Sequence, residues 1–116
     1  MGKLDKNSKY SKIKIPKCFY LLGKKINVFT ESDKLMNDRK LGLFIRDLDE
    51  IHLASKVTRK GGIIKDLSEQ QQEHTFYHEL VHAILDTMGE EELSDNEKFV
   101  DIFSGLLHQS IKTSEY

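Results

Sequence analysis

Residues 74–86 read HTFYHELVHAILD, and their periodicity decides the second half of the fold. Tyr77, Leu80, Val81, Ile84, Leu85 and Met88 recur at i, i+3, i+4, i+7, i+8 and i+11, which puts an apolar stripe along one face of a helix. Upstream, Ser68 with Gln71 has the spacing of a capping box, and downstream Gly89 is a natural C-terminal stop. A second helix is expected from about Ser94, with Val100, Phe103, Leu107 and Ile111 at similar spacing.

Before residue 68 the period is two rather than 3.6. Ile13 and Ile15 alternate with lysines ahead of Pro16, as in a short edge strand or lead-in. FYLLGKKINVF predicts strands at 18–22 and 26–30, hinged at Gly23 and Lys24, and the polar stretch ESDKLMNDRK follows as a loop or one short helical turn. LGLFIRDLDEIHLAS predicts a hairpin, with apolar alternation on both sides of Asp47-Leu48-Asp49-Glu50. SKVTRKGGIIKD reads as a loop freed by Gly61 and Gly62. The expectation is an α+β fold in which a small antiparallel sheet of two hairpin-like units precedes two packed helices. A lysine-rich tail over 1–12 leads into a single domain over 13–116.

Composition narrows the class. The 116 residues, 38% hydrophobic, suffice for one modest core. No run approaches the roughly 18 apolar residues of a membrane span, and the N-terminal lysines are followed by no apolar signal region. Cys18 is the sole cysteine, so an internal disulfide is excluded and a reducing, cytoplasmic setting is expected. The net charge of −1 conceals +9 over residues 1–65 and −10 over residues 66–116. Two halves of opposite sign can attract each other within one fold, or the basic half can serve an acidic partner. Nucleic acid is the less favoured partner, because no motif with interleaved aromatics accompanies the lysines.

The histidine helix carries the chemistry. His74, His78 and His82 stand four apart, and residues at that spacing share a helix face about 6 Å apart. Two such imidazoles can meet one ion at roughly 2.0–2.1 Å. His74 and His82 are separated by about 12 Å of axis and cannot share an ion, so the pair is 74/78 or 78/82. Glu79 favours His78 and His82, because it completes H-E-x-x-H, in which a carboxylate one step from the first ligand takes a proton from the attacking water. Asp86 lies too far along the axis to join His78.

Two histidines under-fill a zinc site. Glu97, Asp101 and His108 share one face of the second helix and are the candidate third ligands by spacing. Glu97 has a competing role, since Ser94-Asp95-Asn96-Glu97 also has the spacing of a capping box. Among the remaining residues, His52 is expected to be exposed, Tyr77 to pack in the core, and Cys18 to be a small buried hydrophobe.

IPKCFYLLGKKINV, LGLFIRDLDEIHLAS, EHTFYHELVHAILDTMGEEEL and NEKFVDIFSGLLHQ together resemble small phage and prophage metallopeptidase-like proteins, distantly similar to the ImmA/IrrE peptidases. The resemblance spans roughly residues 13–112, with HELVH and NEKFVDIFSGLLHQ its most specific parts. It implies a zincin-like domain with one Zn2+ held by His78, His82 and Glu97, and Glu79 as the catalytic base. It further implies hydrolysis of a protein or peptide, such as a phage or host regulatory protein, in a bacterial cytoplasm. One departure is Asp86, at a position where ImmA-like helices often continue to a further histidine. The rival class is a non-catalytic binding or adaptor protein keeping a structural or vestigial metal site.

Overall fold

A computed structural model describes residues 15–32, 35 and 40–116. The lysine-rich tail over 1–12, Ile13 and most of the polar stretch after Ser32 lie outside the described residues. Two hairpins build the main sheet. Strands β1 (Cys18–Leu21) and β2 (Lys24–Phe29) are joined at Leu22 and Gly23, both with positive φ, as a two-residue turn between twisted strands demands. Strands β3 (Gly42–Ile45) and β4 (Glu50–Leu53) are joined by a 3-10 turn, Arg46–Leu48, that ends on left-handed Asp49.

The sheet is not wholly antiparallel. Its order is β1-β2-β4-β3, and β2 pairs in parallel with β4, Val28 opposite Ile51. Parallel neighbours need a long connection, which the chain between Phe29 and Glu50 supplies. Side by side, β2 and β4 become the interior strands and β3 an edge. The interior position of β4 explains why its alternation is misleading: Ile51, His52, Leu53 and Ala54 are all buried. The expected exposure of His52 is therefore corrected. Ser32 of the chain after β2 reaches over that face to the His52 ring, which stacks on Phe29 at 4.7 Å.

The stretch expected to be a loop is a second small sheet, the hairpin β5 (Lys56–Arg59) and β6 (Ile63–Asp66). Gly61 and Gly62 both take positive φ in its three-residue turn, so the glycine pair closes two β-branched runs instead of loosening them. Helix α1 (Glu69–Met88) begins with the reciprocal Ser68–Gln71 capping box and ends where Gly89, at φ 80°, donates to the Asp86 and Leu85 carbonyls. A short helix α2 (Glu91–Asp95) precedes α3 (Glu97–Thr113). The Ser94–Glu97 capping box does not form. Asn96 caps α3 instead, its side chain accepting from the Phe99 amide at 3.1 Å, so Ser94 and Glu97 are free for other work.

Phe76, Tyr77 and Ala83 of α1 close on Ile26, Val28, Ile51 and Leu53 of the sheet. Val81 and Leu85 close on Val100 of α3. The described chain is thus α+β, small sheets followed by packed helices. Cys18 is half-buried rather than buried. No helix among the described residues is long and apolar enough to cross a membrane.

Ile51 sits at the centre of this packing and Ile63 on the open hairpin, with relative exposures of 0% and 64%. Ile51→Ala is expected to cost about 2–5 kcal/mol and Ile63→Ala less than about 1 kcal/mol, read as a difference in chemical denaturation midpoints.

Candidate metal centre

The capped start of α1 fixes its phase, and that phase turns His78 and His82 toward the first turns of α3. There Glu97 meets both rings. His78 Nε2 lies 3.2 Å from Glu97 Oε2, and His82 Nε2 lies 3.1 Å from Glu97 Oε1. The other nitrogen of each ring is held from behind. His78 Nδ1 lies 2.8 Å from Asp101 Oδ1, and His82 Nδ1 lies 3.0 Å from Ser94 Oγ. A carboxylate can only accept, so with an ion at Nε2 Asp101 would accept a hydrogen bond from the Nδ1 proton of His78 and orient the ring.

The ligand atoms of His78, His82 and Glu97 all lie within 4.8 Å of one another, and these three residues could hold a metal ion. The donor chemistry fits a divalent cation: two imidazoles oriented by hydrogen bonds from outside and one carboxylate, 63% exposed, at the mouth. Three protein donors leave room for a fourth, exchangeable position, the arrangement of catalytic rather than closed structural zinc sites.

Glu79 lies beside the centre and is 7% exposed. Burial pushes its carboxyl up to about 7. The neighbouring His78 opposes the shift, Glu97 adds to it, and the Phe44 backbone N–H and Lys40 oppose it. The Phe44 amide belongs to edge strand β3, which approaches α1 closely because residue 42 is glycine. A Cβ there would lie 2.5 Å from Thr75 Cγ2 and 3.2 Å from both Glu79 Cγ and Glu79 Oε2. Between β3 and the helices is a cavity of about 380 Å³ lined by Lys40, Leu41, Gly42, His74, Thr75, His78, Glu79 and Asp101.

The candidate residues separate clearly. His78, His82 and Glu97 come together, whereas Asp101 stands behind His78 rather than among the three. His108 is elsewhere, its Nε2 3.1 Å from buried Glu73 and its ring stacked on Tyr77 at 4.9 Å. Lys112 completes that cluster at 3.0 Å from Glu73 and ties the end of α3 to α1. Tyr77 is buried as expected, and burial followed by the charge of Glu73 pushes its hydroxyl pKa up. His74 is exposed and lies outside the three-residue group. Asp86 accepts from Arg46 at 3.0 and 3.3 Å and so anchors the β3–β4 turn to the end of α1. His52 is held between Ser32 Oγ at 2.7 Å and Glu50 Oε1 at 2.8 Å.

Sequence reasoning missed Gly42 and the Phe44 amide altogether. It read Ser94 as a cap and Asp101 as a rival ligand. Only Asp101 left a legible signal, its position four residues after Glu97 on the same helix face. No family model, curated protein or solved structure matches this chain.

Gly42→Ala is expected to displace Thr75 and Glu79 and to cost about 1–3 kcal/mol in a denaturation experiment. Gly23→Ala, whose added carbon meets nothing within 4 Å, serves as the comparison in which strain comes only from its positive φ.

Proposed function

We propose that this chain is a zinc-dependent peptidase of gluzincin type, built on a zincin-like domain. The observation that carries the reading is the pairing of roles at each histidine: Nδ1 is held from outside, and Nε2 faces one shared carboxylate. His78, His82 and Glu97 are the ligands in this reading, and Zn2+ is the ion that two imidazoles and a carboxylate suit. The resemblance of HELVH and NEKFVDIFSGLLHQ to ImmA/IrrE peptidases supports the same assignment.

An ion held there supplies Lewis-acid polarisation of a carbonyl and a water acidified toward neutral pH. The chain's own residues supply the rest. Glu79 takes a proton from the attacking water at a carboxylate oxygen and passes it to the departing amine nitrogen. The Phe44 N–H and the close packing at Gly42 hold that carboxylate in one orientation. Asp101 and Ser94 keep the two imidazoles aimed. Strand β3 is a sheet edge beside the cavity, so an extended peptide has a groove to lie in along that edge, whose Phe44 amide is already held by Glu79.

Zinc titration of metal-free protein tests the assignment. One ion per chain is expected for wild type and for Glu79→Gln, with no stoichiometric binding for Glu97→Ala. Asp101→Asn is expected to weaken affinity by about 10–100-fold, the usual effect of removing an orienting partner. Peptide hydrolysis is expected for zinc-loaded wild type and not for Glu79→Gln. Wild type without stoichiometric zinc would remove the peptidase reading and leave a non-catalytic binding protein.

A further inference from the structure

The hairpin β5–β6 is unexplained by the fold and by the metal centre. Every residue of β6 is exposed, including Ile63 and Ile64, whereas Val57 and Thr58 of β5 are half-buried, and a two-stranded ribbon is marginal in water by itself. Its register places Val57 opposite Lys65 and Arg59 opposite Ile63. Directly opposed residues share a face, so one face carries Val57, Arg59, Ile63 and Lys65: two apolar side chains, two cations and no anion. Lys60 adds a third cation at the turn, whereas Asp66 lies opposite Lys56 on the other face. None of these cations is ion-paired among the described residues.

The hairpin is rooted at the mouth of the groove. The Leu67 amide donates to Ser55 O and closes its base, and the adjoining Ala54 amide donates to Leu41 O in the groove wall. Lys40 lines the same end. Helix α1 starts three residues after β6 ends. The far end of α1 leads into residues 86–101, which hold seven acidic side chains against Lys98.

Glu69 supplies the anion that the helix dipole favours in the first turn of α1, and Glu91, Glu92 and Glu97 do the same for the two helices that follow. The two ends of a 20-residue helix are about 30 Å apart, well beyond the roughly 8–10 Å over which exposed charges act in physiological salt. The acidic segment therefore does not neutralise the hairpin. Unpaired cations interleaved with apolar side chains, on a hairpin rooted beside a groove, suit a partner of the opposite sign.

We propose that hairpin β5–β6 is the substrate-capture arm of the groove and that it takes an extended peptide segment alternating acidic and apolar side chains. The inference rests on the peptidase reading for the identity of the occupant as substrate. Acidic side chains meet Arg59 and Lys65, and apolar ones cover Val57 and Ile63. The acidic side chains of residues 86–101 repel the same segment, so it lies on the hairpin side of the site.

Fluorescence anisotropy with the zinc-loaded full chain carrying Glu79→Gln tests this. Three labelled dodecapeptides are compared, in which Val alternates with Glu, Ser or Lys. The Glu peptide is expected to bind at least about tenfold more tightly than the Ser peptide, about 1.4 kcal/mol. That advantage should shrink in high salt and disappear in Arg59→Glu/Lys65→Glu. Arg59→Gln/Lys65→Gln, which removes charge without adding any, should lose most of it too, with unchanged thermal unfolding showing that the body remains folded.

Equal binding of the three peptides, no detectable binding, or a preference untouched by both double variants would overturn the proposal. So would a 20-base-pair DNA duplex binding more tightly than the Glu peptide through the same two residues. The peptidase reading fails separately: zinc-loaded wild type that selects the Glu peptide but cleaves none of the three refutes catalysis and keeps the capture arm. Wild type that cleaves all three at equal rates does the reverse.

Discussion

Helix α1 is packed on two sides, and the grouping of His78, His82 and Glu97 follows from that constraint. Phe76, Tyr77 and Ala83 seat it on the sheet, while Val81 and Leu85 seat it against Val100 of α3. A helix fixed on two sides has no rotational freedom left, so His78 and His82 must face the first turns of α3. Those turns bring Glu97 and Asp101, and the short helix before them brings Ser94. The further tie between Glu73, His108 and Lys112 holds the far end of the same helix pair.

Edge strand β3 is fixed at both ends as well. Its start closes on α1 where Gly42 leaves no room for a side chain, and its end is held by Arg46 on Asp86. Between them the Phe44 amide reaches Glu79. A buried carboxylate is costly unless its oxygens are satisfied, and here a backbone donor that would otherwise be a sheet edge meets that need. The site thus uses an unpaired edge, ordinarily a liability, to orient a functional group.

Much of this was legible in the residues. Ser68, Gln71 and Gly89 marked the limits of α1 by local hydrogen bonding, and local chemistry is what a sequence states most directly. The pairing of His78 with His82 was legible for the same reason, since four residues on one helix is a fixed distance. The parallel contact of β2 with β4 was not, because it joins strands more than twenty residues apart and no local pattern encodes it. His52 was misplaced through that same omission: an edge strand would expose it, and an interior strand buries it. The competing capping role that spacing offered Ser94 and Glu97 does not form, because Asn96, two residues after Ser94, takes the cap instead. Gly42 carried no signal, as its importance lies in what Thr75 and Glu79 bring to it from another element.

The central claim is that one face of α1, completed by Glu97, is a site for a single ion reached through two Nε2 atoms. A long-range proton–nitrogen correlation spectrum of the imidazoles, recorded before and after one equivalent of Zn2+, tests it most directly. The account predicts that only His78 and His82 respond, with Nε2 of each moving to a metal-bound position and Nδ1 of His78 still carrying its proton. Metal-bound shifts at His52, His74 or His108, or at Nδ1 of either helix histidine, would contradict it.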